Sequence, residues 1–232
     1  MTHNEFSNEF DVLIQSYLTQ DNFGETSAIA FDEYEKSVFL TNAQEELVVS
    51  LYNGRNDLQE SFEQTEELRR YLNSLVTTVV LDTTINTTLT LTKKDSYVFE
   101  LPENILAIIY EQIHFTEDTC NDNYGIQVIP VTHDDFSRQS RNPFKGASAR
   151  KVLRIDAGNN NVELISTKSI KDYTVRYIKK PNPIIIDELE AVRINGEYHI
   201  TECELPEILH KRILDIAILR ALNSKGLIKN NN

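Results

Sequence analysis

Apolar residues recur at helical spacing towards both ends of the chain and at strand spacing in the middle. Phe6, Phe10, Leu13, Ile14 and Tyr17 fall on one side of a helix over residues 5–19. A turn region follows, with Asp21, Asn22 and Gly24. Ala43, Leu47 and Leu51 then repeat every fourth position, with Val48 and Tyr52 one step round, so a second helix is expected over 41–53. Thr41 with Gln44 three residues on makes a capping box at its start, and Gly54 supplies a left-handed stop. After a polar linker, Leu68, Tyr71, Leu72 and Leu75 mark a third helix.

The pattern then changes. Eight of the sixteen residues from 77 to 92 are Thr, interleaved with Val, Ile and Leu, and branching at Cβ favours strands. "LTLT" alternates with the period of two of a half-buried strand. "DSYVFELP" continues the run until Pro102 closes it. "NILAIIYEQIHF" fits a buried strand or a short helix, and the strand is favoured. "YGIQVIPVTH" reads as a further strand, and "THDDFSRQSRNPF" breaks the run with a helical turn. "RKVLRIDAGNNNVELIST" is the clearest hairpin, two alternating runs joined by Gly-Asn-Asn-Asn. "YTVRYIKKPNP" is one more strand, ended by two prolines.

A last helix is expected from Pro206, a good first-turn residue, to Gly226. Ile208, Leu209, Ile213, Ile216, Ala217, Leu219 and Leu222 lie on most of its sides, so it should be buried between other elements, with Ile213 and Ala217 at the centre of the contact. The order of elements implies an α+β fold. A discontinuous helical domain (1–76 and 203–232) would carry an inserted antiparallel β-rich region (77–202).

Composition sharpens the picture. The chain has 232 residues, 40% hydrophobic and 25% charged, enough to build a core. Cys120 and Cys203 share no motif and read as reduced thiols. No secretion signal opens the sequence, so the sequon at Asn86 carries no weight, and no stretch approaches the ~20 apolar residues of a membrane span. Net charge is −13 and is unevenly spread. Residues 1–75 hold 15 acidic and 4 basic side chains, whereas residues 138–180 hold 11 basic and 3 acidic. The split serves solubility alone, or it makes complementary faces on which an acidic end meets a basic middle. An acidic surface disfavours tight non-specific binding to nucleic acid.

Candidate chemistry is sparse. Thr132, His133, Asp134 and Asp135 form the one cluster of catalytic residue types. Consecutive positions point in different directions, so Thr132 or Asp134 capping a short helix is the plainer reading than a metal site. The remaining histidines are scattered. The seven glycines form no phosphate loop, and no Ser or Cys nucleophile motif is present, so no catalytic residue, metal or cofactor is assigned. "SRQSRNPFKGASARKVLR" carries six basic residues and no acidic one. It is a solvated rim or a surface that docks on acidic protein. Its single aromatic, Phe144, is too little for a stacking platform. "VRYIKKPNPIII" is a rigid extended arm or an ordinary loop leaving the sheet.

Four segments taken together, "FDEYEKSVFLTNAQEELV" (31–48), "VTHDDF" with "NPFKG" (131–146), "VRYIKKPNPIII" (175–186) and "CELPEILHKRILDIAI" (203–218), resemble the portal-vertex ring proteins of crAss-like bacteriophages. The resemblance implies a non-catalytic virion protein assembled in the host cytoplasm. It implies a ring or adaptor subunit of the head-to-tail connector, twelve-fold around the DNA channel. The partners it implies are further copies, the portal protein and other ring or tail proteins. DNA would pass without specific binding, and no membrane is involved. The interface expected is acidic on one side, at Glu33, Glu35, Glu45 and Glu46. On the other side it is basic, at Arg138, Arg141, Lys145, Arg150, Lys151, Lys179 and Lys180. Other readings are a tail-tube or hub subunit, a metal-dependent hydrolase using His133, Asp134 and Asp135, and a regulatory module using the 138–154 stretch.

Overall fold

The computed structural model describes residues 1–20, 30–55, 60–82, 96–116, 125–189 and 192–226. In chain order the elements are α1 (His3–Gln20), α2 (Glu33–Asn53), α3 (Glu66–Tyr71), β1 (Val76–Asp82), β2 (Ser96–Glu100), β3 (Ile105–Phe115), β4 (Ile126–Pro130), α4 (His133–Ser140), β5 (Lys151–Gly158), β6 (Asn161–Ile165), β7 (Ile170–Lys179) and α5 (His210–Ser224). They form two compact units, Met1–Leu75 with Lys180–Asn232, and Val76–Lys179. The class is α+β. The "LTLT" stretch, the Asn86 sequon and Cys120 lie outside the described residues.

In the first unit, α2 starts at Glu33, eight positions before the expected Thr41. Asp32 caps it: Glu35 N donates to Asp32 Oδ1 at 2.6 Å, and the Glu35 side chain accepts from Asp32 N at 3.3 Å. The capping box therefore sits at 32–35, and the acidic first turn faces the positive end of the helix dipole. Gly54 ends the helix at φ 74, as its position suggests.

Thr41 and Gln44 are buried inside α2 and have another task. The segment 181–186 runs extended past this face. The Thr41 hydroxyl accepts from Ile184 N (3.1 Å) and donates to Ile184 O (3.3 Å). Ser37 Oγ accepts from Ile186 N at 3.0 Å, and Gln44 Nε2 donates to Asn182 O at 2.7 Å. Residues 182, 184 and 186 thus bond to α2. Ile185, facing the other way, exchanges two 3.2 Å backbone bonds with Thr201. Residues 180–202, read with the strands from sequence, therefore belong with the helices. With two prolines and a single bridge, at Thr201, the backbone of 182, 184 and 186 depends on these side chains.

The core of this unit is Phe6, Phe10 and Ile14 of α1, Leu40, Ala43, Leu47, Val48 and Leu51 of α2, and the α5 stripe. That stripe is His210, Ile213, Leu214, Ala217, Ile218, Ala221 and Leu222, packed on α1 and α2. Burial all round the expected helix is not found: Ile208, in the turn just before α5, is 65% exposed, and Leu219 of α5 is 45% exposed. The reason is geometric, since helices cover it from one side only. Similarly Tyr17 of α1 is exposed, so the α1 stripe is narrower than its periodicity suggests.

The second unit is one seven-stranded sheet, ordered β1-β7-β3-β4-β5-β6-β2. The sheet is mixed rather than wholly antiparallel, because β4 and β5 pair in parallel, Gln127 opposite Lys151. The connection between them carries α4, long enough to bring the chain back in the same direction. The β5–β6 hairpin turns on Asn159 and Asn160 at φ 50 and 58, the left-handed pair of a tight hairpin turn. Val79 and Leu81 of one edge and Phe99 of the other share a core with Ile113, Tyr173 and Val175, so the sheet is coiled on itself. Inside it the Tyr173 hydroxyl donates to Glu111, and the Arg154 guanidinium lies 2.7 Å from the same carboxylate.

Replacing Ile213 with Ala should cost about 2–5 kcal/mol in denaturant unfolding, whereas Leu219→Ala should change it by less than about 0.5 kcal/mol. Ser37→Ala leaves the Ile186 N–H without its acceptor and should cost about 1–3 kcal/mol. Equal effects at Ile213 and Leu219 would contradict the one-sided packing of α5.

Candidate assembly surfaces

The four glutamates of the acidic α2 edge all have partners within their own unit. Glu33 accepts from Ser7 Oγ and Lys36 Nζ, both at 2.9 Å. Lys36 is buried and also reaches Asp11 at 2.7 Å. Burial alone would lower its pKa, but the hydrogen bonds and charges of Asp11 and Glu33 outweigh that and raise it, so the ammonium stays charged. Glu35 closes the capping box and meets Lys225 Nζ at 3.3 Å. Glu45 meets Lys180 Nζ at 3.1 Å and Asn195 Nδ2 at 2.8 Å, and Glu46 meets Arg220. Glu45 and Lys180, chosen from sequence as opposite sides of a contact between copies, thus pair with each other in one chain. Such half-exposed pairs contribute at most ~1 kcal/mol each and can be exchanged.

The basic residues divide differently. Arg138 pairs with Asp135 one turn away on α4. Lys151 Nζ donates to Phe144 O at 2.9 Å, and Lys179, at the end of β7, is also engaged. Arg141, Lys145 and Arg150 are exposed, and none has an ion-pair partner among the described residues. All three stand on the loop from α4 to β5.

That loop is held by its own bonds. Asn142 O accepts from Lys145 N (3.1 Å) and Gly146 N (2.8 Å), and Asn142 Oδ1 accepts from Phe144 N (2.9 Å). Gly146 is buried, and a Cβ there would stand 3.2 Å from Asn142 O, close enough that the carbonyl would have to shift by a few tenths of an ångström. Phe144 stands on this loop at 90% exposure, in the same stretch as Arg141, Lys145 and Arg150. Sequence reasoning discounted this aromatic as too isolated for stacking. The "NPFKG" turn chemistry around it was the available signal for an ordered, outward-facing side chain.

A second feature was not anticipated. A groove of about 320 Å³ lies between α1 and α5, lined by Glu9, Val12, Leu13, Lys211, Leu214 and Asp215. Val12 is 65% exposed. It lies off the Phe6, Phe10, Ile14 stripe, and an apolar residue on the outer side of an amphipathic helix was the signal to follow.

The His133 cluster forms a capped helix start, as the plainer reading of the sequence has it. Thr132 Oγ1 accepts from Asp135 N at 3.4 Å, and His133 Nε2 donates to Asp156 O at 2.9 Å. Asp135 is engaged by Arg138. Among the described residues no group of three or more His, Cys, Asp or Glu side chains could hold a metal ion. No helix among them is long and apolar enough to cross a membrane.

Comparison with known proteins places these surfaces in context. The family model described as phage tail ring protein 3/4 matches residues 1–232. The chain is 43% identical to "Ring protein 3" of Bacteroides phage crAss001, an alignment covering 100% of this chain and 99% of that one. It is 34% identical to "Ring protein 4/5" of the same phage, over 94% of this chain and 91% of the relative.

His133→Ala should lower stability by no more than about 1 kcal/mol and leave the metal content of the purified protein unchanged. Stoichiometric metal lost on that substitution would favour a hydrolytic site instead.

Proposed function

The chain belongs to the phage tail ring protein 3/4 family and is a structural ring protein of the virion, and we propose that its copies close into a homo-oligomeric ring in the head-to-tail connector below the portal. The ring encloses the DNA channel. Twelve copies is the number that the family resemblance implies. The portal and other ring or tail proteins bound it above and below, and the subunit needs no catalysis. Assembly takes place in the host cytoplasm before the ring enters the virion.

The observation that carries this reading is the ordered loop 141–150. It presents three cations, none with an ion partner among the described residues, together with one exposed aromatic on a chain of net charge −13. These exposed side chains suit a contact with an acidic surface. A ring needs two different patches that meet head to tail, and a basic patch facing acidic ones meets that need. A net acidic ring also lets DNA slide, because few cations are left to hold its phosphates.

Ring formation should weaken as salt rises from 0.1 to 1 M, where the screening length falls from about 10 Å to about 3 Å. Native mass spectrometry should show the oligomer giving way to smaller species. Arg141→Glu should shift that change to lower salt. A strict monomer at low salt, with portal present or absent, would overturn the ring reading.

A further inference from the structure

We propose that Phe144 of one copy inserts into the α1–α5 groove of the next copy, as a basic-rimmed aromatic knob in an acidic-rimmed apolar hole. This deepens the ring reading and rests on it, since it names the two patches that meet.

Four observations carry it. The knob is formed in advance: the bonds to Asn142 and that from Lys151 Nζ to Phe144 O hold the loop, so little conformational freedom is left to lose on docking. The hole fits. Its volume is about 320 Å³, and a cavity of about 150 Å³ already accepts benzene, so a phenyl ring enters with space for its backbone. The chemistry matches, with Val12, Leu13 and Leu214 giving an apolar floor. Asp215 and Glu9 rim it, outnumbering Lys211, and their sign complements a loop carrying Arg141, Lys145 and Arg150. The apolar character also extends past the groove. Leu219, one turn beyond Asp215 on α5, is 45% exposed, and Tyr17, one turn beyond Leu13 on α1, is 41% exposed.

Knob and hole are different patches of the same sequence. A contact between them is heterologous: each copy gives one and receives one, and repetition either closes a ring or runs on as a filament. A large aromatic buried in a pocket and fenced by charges is the usual form of an interface hot spot. Phe144→Ala and Val12→Lys should therefore each weaken association by about tenfold or more, the second by placing a cation against the basic loop. Both positions are exposed, so neither change should disturb folding, which circular dichroism and thermal unfolding would verify.

The direct test uses the full chain with photo-reactive p-benzoylphenylalanine at position 144, irradiated after assembly and mapped by mass spectrometry. Oligomers in which position 144 cross-links to residues 9–13 or 211–215 of a second copy, seen as a covalent dimer, would support the proposal. Oligomers whose cross-links fall elsewhere on the chain, on a different protein or on DNA would overturn it and leave the ring reading standing. The same holds for oligomers that yield no cross-link. A protein that remains monomeric under all conditions would overturn both.

Discussion

The extended segment 181–186 returns the chain from the sheet to the helices, and its backbone must be satisfied without a strand beside it. Pro181 and Pro183 remove two donors and bar a helix. Groups of residues 182–186 are met by Ser37, Thr41 and Gln44 of α2 on one side and by Thr201 and Glu204 on the other. Polar side chains spaced four and three apart on one helix face make this possible, since they line up along the axis. Ile184 and Ile185 can then be wholly buried, and Gln44 also accepts from Cys203 Sγ just before the turn into α5. A lost side-chain partner in this rail, such as the Ser37 acceptor, leaves a buried backbone group unpaired, which costs more than the bond itself contributes.

The same rail explains what could be read in the sequence and what could not. Periodicity exposed the helices, because burying one stripe imposes a repeat of three or four residues. Turn chemistry exposed the ends: Gly54 in the left-handed region, Asn159 and Asn160 in the hairpin, Thr132 capping α4. The start of α2 was misplaced because Thr41 and Gln44 carry the same residue types as a capping box. Only the position of residues 182–186, some 140 positions away, reveals that they face a backbone instead. The true box at Asp32 and Glu35 was visible in the sequence but outweighed by the apolar pattern after residue 41. The parallel pairing of β4 with β5 is likewise non-local, set by a connection rather than by either strand. Exposure of Leu219 depends on how many helices reach α5, which no local pattern encodes.

Candidate interface residues show the same limit more sharply. Charge runs mark an acidic beginning and a basic middle, but a run does not say which charges are already met. Glu33, Glu35, Glu45 and Glu46 are met within their own unit, and so is Lys180. Arg141, Lys145 and Arg150 have no ion partner among the described residues. The charges without ion partners among the described residues thus lie on one loop rather than on the α2 edge. This is the expected economy of a ring subunit. Its internal contacts hold shape, and the side chains left over, arranged on rigid turns, are available to a neighbour.

Single-particle electron microscopy of the purified protein, alone and with portal, tests the central claim most directly. The account predicts closed rings of uniform copy number with an open centre. Monomers under both conditions, or open filaments without closure, would contradict it.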